Sequence, residues 1–146
     1  MSEADPFDLQ RFVEAQDRVY DTVLAELRAG HKRTHWIWFV FPQLAQLGRS
    51  PAARRYGISG LAEARAYLDH PTLGARLREC SRLVAAIRDR FIEDVFGFPD
   101  YLKVRSCMTL FAHTTTDNGD FTAVLRTFYQ YFPDGPEDPV TLELLG

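Results

Sequence analysis

Residues 30–50 read GHKRTHWIWFVFPQLAQLGRS, and every residue from Trp36 to Phe41 is apolar. A run this short does not separate a buried strand from a buried helix by periodicity. Its aromatic and β-branched content argues for a strand. Its helical surroundings and the closing Pro42 argue for a short helix, which is the reading adopted. In either form so much aromatic area must leave water that the segment belongs to the core.

Outward from this stretch the pattern is helical. Upstream, Leu9, Phe12, Val13, Gln16, Val19, Tyr20, Val23 and Leu27 recur at steps of three and four. This predicts an amphipathic helix over residues 9–29, capped by Asp8 and stopped by Gly30. Downstream, residues 61–69 form a short helix with Ser59 as a cap, broken at His70-Pro71. A longer helix then repeats Leu73, Leu77, Cys80, Val84 and Ile87 and ends near Asp89. Its other face carries Arg76, Arg78, Arg82, Arg88 and Arg90. One turn is expected over residues 92–96, and a helix begins at Pro99. Another follows Asp120 as cap, and a last short one opens at Asp138-Pro139. The expected architecture is mainly α: a compact single-domain bundle of about six or seven helices over residues 1–146, with little or no strand.

The 146 residues suit one domain, which at this size needs neither disulfide nor metal. No apolar run approaches the roughly 20 residues that span a bilayer. The acidic N-terminus, MSEADPFDLQ, lacks the basic start and apolar core of a signal peptide. Cys80 and Cys107 read as reduced core thiols, which fits a cytoplasmic protein. The net charge of −3 is unevenly spread. Residues 31–105 carry 13 basic and 7 acidic side chains, whereas both flanks are acidic. The basic middle either attracts anions or is neutralised by the flanks in the fold.

The familiar catalytic and metal signatures are missing: no phosphate loop, GxGxxG, HExxH, GxSxG or CxxC. His31 and His35 have i, i+4 spacing without a suitably placed Glu, so neither a metal nor a cofactor is expected. Nucleic acid is an unfavourable partner, because the basic cluster precedes the aromatics without alternating with them and the whole chain is acidic.

Two clusters stand out. His31, Lys32, Arg33 and His35 abut Trp36 and Trp38, so a charged cluster meets a buried one at the rim of the core. Such a rim can hold an anion by charge-assisted hydrogen bonds while an aromatic wall packs a ring. Gln43 and Tyr56 add directional polar groups nearby. The second cluster is Lys103, Arg105, Ser106 and Thr109. Arg105 lies among apolar neighbours, so it either pairs with a carboxylate, Glu63 or Glu14, or reaches into a cleft.

Three stretches carry a resemblance: RFVEAQDRVYDTVLAELRAGHKRTHWIWFVFPQL; LGRS followed by YGISGLAEARAYLDHPTLGARLREC; and VFGFPDYLKVRSCMTLFAH. They cover most of residues 8–114, and HWIWFVFPQL is the most specific string. The chain resembles the domain-of-unknown-function family numbered 1810, small bacterial proteins sometimes mislabelled as calpastatin. The resemblance implies a compact helical fold and no established activity. Cys107 departs from the family, which usually has a second small hydroxyl residue after Ser106. A looser likeness to proteins handling NAD-derived or ADP-ribose-like molecules is analogy only.

Two functions are carried forward. In the first, a small anionic ligand, nucleotide-like or ADP-ribose-like, binds a basic and aromatic cleft made by Lys32, Arg33, His35, Trp36, Gln43, Tyr56 and Arg105. His35 and Glu63 are then the candidate catalytic groups, and whether the protein is an enzyme stays open. In the second, the protein is an adaptor or regulator whose basic helix face docks an acidic partner. The sequence fixes no oligomeric state.

Overall fold

The computed structural model describes residues 4–146. Its α-helices run in the order α1 (Gln10–Asp17), α2 (Tyr20–Ala29), α3 (Ile37–Val40), α4 (Pro51–Arg55), α5 (Leu61–Asp69), α6 (Pro71–Ala85), α7 (Ile92–Phe96), α8 (Asp100–Ala112), α9 (Gly119–Phe128) and α10 (Pro139–Leu145). A 3-10 turn lies at Ala45–Leu47. Among the described residues there is no strand, only an isolated parallel bridge between Leu44 and Ile58. The mainly helical reading holds. The expected number of helices does not: ten are present among the described residues, where six or seven were expected.

The excess has a physical source. The short helix read at residues 36–41 is present as α3, but α4, a helix of little more than one turn, contains no repeat and leaves no periodic trace in the sequence. The long first helix is also two. Its apolar spacing runs unbroken, but the backbone leaves the helical region at Val19, where φ is −133°. The break lets α1 lie on α3 and α6 while α2 lies on α6. Gln16, on the apolar face of α1, then turns its amide inward and donates to Phe39 O at 2.7 Å and Tyr67 Oη at 3.0 Å.

The ends differ from expectation in instructive ways. Asp8 is not the first cap. The Asp5 carboxylate accepts the Leu9 and Gln10 N–H groups at 2.8 and 3.0 Å, and those bonds hold its pKa below the ordinary aspartate value. Gly30 stops α2 in the left-handed region at φ 70°, as its lack of a Cβ allows. His70 ends α5 and caps α6, its Nδ1 accepting from Thr72 and Leu73 N–H. Gly60, not Ser59, precedes α5, and the Glu63 carboxylate reaches back to the Ser59 N–H at 2.9 Å. Asn118, not Asp120, precedes α9. Asp138 caps α10 as read.

The core runs through α8, whose Val104, Cys107, Met108, Leu110 and Phe111 are fully buried. It packs on α9, α7, α5, α3 and α10. Gly74 brings α6 against α5 so closely that a Cβ there would stand 2.1 Å from Leu68 O. Both thiols are free and buried.

Charge is interleaved. Arg76 meets Asp17 at 2.8 Å, Arg82 meets Asp120 at 3.0 Å, and Arg78 meets Asp120 at 3.4 Å. The acidic flanks therefore neutralise most of the basic face of α6, the face that an adaptor would have used.

Candidate functional site

The residues 31–43 cluster is held by the core and by itself. Lys32 Nζ lies 2.8 Å from Asp100 Oδ2 and 5.2 Å from the centre of the Trp36 ring. Asp100 Oδ1 also faces Lys103 Nζ at 3.7 Å, and Lys103 sits 5.4 Å from the centre of the Trp38 ring. One carboxylate thus bridges two ammonium groups, each placed over an indole face, where the ring quadrupole favours a cation. Trp36 is buried and donates its Nε1–H to Glu26 at 3.0 Å. Arg33 and His35 are exposed.

Gln43 and Tyr56 do come together. With Trp38, Phe41 and Lys103 they line a recess between α3, α4 and α8. Its volume of about 10 Å³ admits one water-sized group. Trp38 Nε1 is buried there without a hydrogen-bond partner among the described residues. A nucleotide-sized molecule has no room in it.

Glu63 and Arg105 lie elsewhere. Glu63 is 3% exposed and paired with Arg11 at 2.9 Å. Arg105 takes neither of the two courses considered from sequence. Its guanidinium donates to the carbonyls of Gly135, Pro136 and Glu137 and lies 4.6 Å from the Phe132 ring centre. Ser106 donates to Asp138 at 3.0 Å, and Thr109 Oγ1 accepts the Asp138 N–H at 2.9 Å. The second sequence cluster therefore fastens the segment before α10 onto α8.

An aromatic cleft with charges of both signs lies elsewhere, and the sequence reading named its Arg88 and Arg90 only as part of a helix face. The turn between α6 and α7 and the end of α9 enclose about 390 Å³, lined by Arg88, Arg90, Phe91, Glu93, Phe128 and Tyr131, among others. Phe91 is 74% and Tyr131 89% exposed. Both rings line the cleft and are largely in water. Asp89 holds the turn with φ 62°, in the left-handed region that glycine, asparagine and aspartate enter more readily than other residues. Arg88 donates to the Ala85 and Ile87 carbonyls. The Arg90 side chain makes no hydrogen bond or ion pair among the described residues. The available signal was Phe91, an aromatic outside any helical period and flanked by Arg88, Asp89 and Arg90.

Residues 6–145 match the family described as a protein of unknown function, DUF1810. The chain belongs to that family. This DUF1810 chain is also 58% identical to the conserved hypothetical protein Rv1873 from Mycobacterium tuberculosis, whose crystal structure it matches with a TM-score of 0.92 over 97% of this chain and 98% of that one. No curated protein matches. Among the described residues of this DUF1810 chain, no helix is long and apolar enough to cross a membrane, and no group of three His, Cys, Asp or Glu side chains is placed to hold a metal ion.

Proposed function

We propose that this protein is a cytosolic bacterial binding module for a small anionic ligand with a planar ring, of the nucleotide class. The ligand's place is the cleft of Arg90, Phe91 and Tyr131. The exposure of Phe91 and Tyr131, which both line this cleft, carries the reading. A ring between them removes both faces from water, and base–aromatic stacking contributes roughly 1–3 kcal/mol per base. Arg90 supplies an unengaged planar cation for a phosphate. Asp89 and Glu93 also line the cleft and would repel a purely anionic molecule, but their carboxylates accept hydrogen bonds from ring N–H groups. A ring with N–H donors joined to a phosphate meets both requirements.

Differential scanning fluorimetry with AMP, GMP, CMP and UMP tests the reading. Ligand at 100 times its dissociation constant adds about 2.7 kcal/mol of stability. At least one monophosphate should raise the melting temperature, and Phe91→Ala and Arg90→Gln should each abolish the rise. If all four leave the wild-type melting temperature unchanged, the reading fails.

One observation favours the adaptor reading as a second. Phe98 is 79% exposed and lies against Tyr101, outside the lining of the cleft. A protein partner would cover Phe98, whereas a mononucleotide would not, so Phe98→Ala separates the two.

A further inference from the structure

A second cavity, independent of the nucleotide reading, opens between α9 and the segment leading into α10. It encloses about 440 Å³, within the range of small-molecule sites. Leu125 and Leu142 face it together with Pro136 and Pro139. Arg126, Asp134 and Glu137 also line it. The side chains of Arg126 and Asp134 make no hydrogen bond or ion pair among the described residues, although they have opposite charges and share one cavity. Glu137 is held at 2.9 Å by His113 Nε2.

The wall is built in advance. Arg105, a residue only 6% exposed, donates through its guanidinium to the carbonyls of residues 135, 136 and 137 in succession, so Pro136 and Glu137 are fixed from the core side. Asp138, the next residue, is tied to Ser106, Thr109 and Thr141. A wall so fixed loses little entropy when a ligand arrives.

An apolar floor with an unpaired cation and an unpaired anion at its edge has a definite complement. We infer that this cavity binds a free α-amino acid with a large apolar side chain. Its side chain lies on Leu125 and Leu142, its carboxylate accepts from Arg126, and its ammonium donates to Asp134. A peptide does not satisfy the arrangement, because it separates the two charges along its length. A fatty acid offers the apolar group and the carboxylate but leaves Asp134 without a partner.

The test is titration of the isotopically labelled full chain with L-leucine and L-phenylalanine, read by NMR at the Leu125 and Leu142 methyl groups. N-acetyl-L-leucine and L-leucinamide each keep one charge. Each should bind roughly tenfold or more weakly than leucine, the worth of one charge-assisted hydrogen bond. Arg126→Gln should weaken leucine by a similar factor and leave leucinamide unchanged. Asp134→Asn should weaken leucine and leave N-acetyl-leucine unchanged. Both residues are exposed, so the variants keep the fold. Methyl signals unmoved by either amino acid overturn the inference. So does binding of leucinamide and N-acetyl-leucine equal to that of leucine, which would make the cavity a nonspecific apolar hollow. None of these outcomes bears on the Phe91 cleft.

Discussion

Trp36 donates its indole N–H to Glu26 Oε1 at 3.0 Å, and through that bond the most apolar stretch of the chain is tied to the end of α2. The same carboxylate accepts the Arg33 N–H at 2.8 Å, the Thr34 N–H at 3.1 Å and the Thr34 hydroxyl at 2.8 Å. Glu26 thereby organises the whole turn from α2 into α3. The Arg33 backbone is thus held by a buried acid, whereas Lys32 is held from elsewhere, its N–H by the Val95 carbonyl and its ammonium by Asp100.

Burial alone would raise the Glu26 pKa, but the bonds from Arg33, Thr34 and Trp36 outweigh it and hold the group below its ordinary value of 4.5. A carboxylate with a lowered native pKa contributes stability that is fully present above 4.5 and is lost as pH falls through the native value. Urea unfolding of wild type and Glu26→Gln should therefore differ most at neutral pH and converge in acid. A difference that does not change with pH would refute this role.

The two indoles should respond to different degrees when their N–H is removed. Trp36→Phe leaves a buried carboxylate short of a donor and should cost about 2 kcal/mol or more. Trp38→Phe deletes an N–H that has no partner, so its cost should stay within about 1 kcal/mol. Equal losses in the two variants would mean that the Trp38 N–H is satisfied in solution.

Arg105→Met should lower stability by roughly 2–3 kcal/mol, because three carbonyls lose a charged donor at once. Hydrogen exchange should rise over residues 135–142 and leave α1 and α2 unchanged. A loss below about 0.5 kcal/mol, typical of an ordinary surface change, would show that water replaces the guanidinium at no cost.

Gly74→Ala should destabilise by roughly 1–3 kcal/mol, since the new methyl meets the Leu68 carbonyl and forces α5 and α6 apart. Thermal melts of this variant against Ala75→Gly, an exposed neighbour on the same helix, isolate the steric effect from helix propensity. A melting point near wild type would show that α5 can shift freely.

Burial pushes the Cys80 thiol up to about 12 and the Cys107 thiol well above its ordinary value. Both should resist a disulfide reagent at pH 8 in the folded protein and react on unfolding in urea. Rapid labelling of either in the native state would contradict the burial.

The helical class was legible because three-four spacing of apolar residues recurs in the α6, α8 and α9 segments, and a repeat needs only local chain geometry. Gly30 and Asp138 were legible for the same reason, as each acts on the backbone a few residues away. The break at Val19 was not, because the apolar spacing continues through it and only packing against α3 and α6 selects the two halves. The fate of Arg105 was also hidden. Its sequence context required a buried guanidinium to find acceptors, but its partners are backbone carbonyls 30 residues away, and every residue carries a carbonyl. The charge blocks showed that opposite signs were available, and tertiary contact decided that Asp17 and Asp120 would take the arginines of α6. The sequence by itself determined which residues leave water and which form helices, since those are properties of short segments. Only the tertiary structure decided which polar groups remained without partners among the described residues, Arg90, Arg126, Asp134 and the Trp38 N–H among them, because whether a polar group is satisfied depends on what the rest of the chain brings to it.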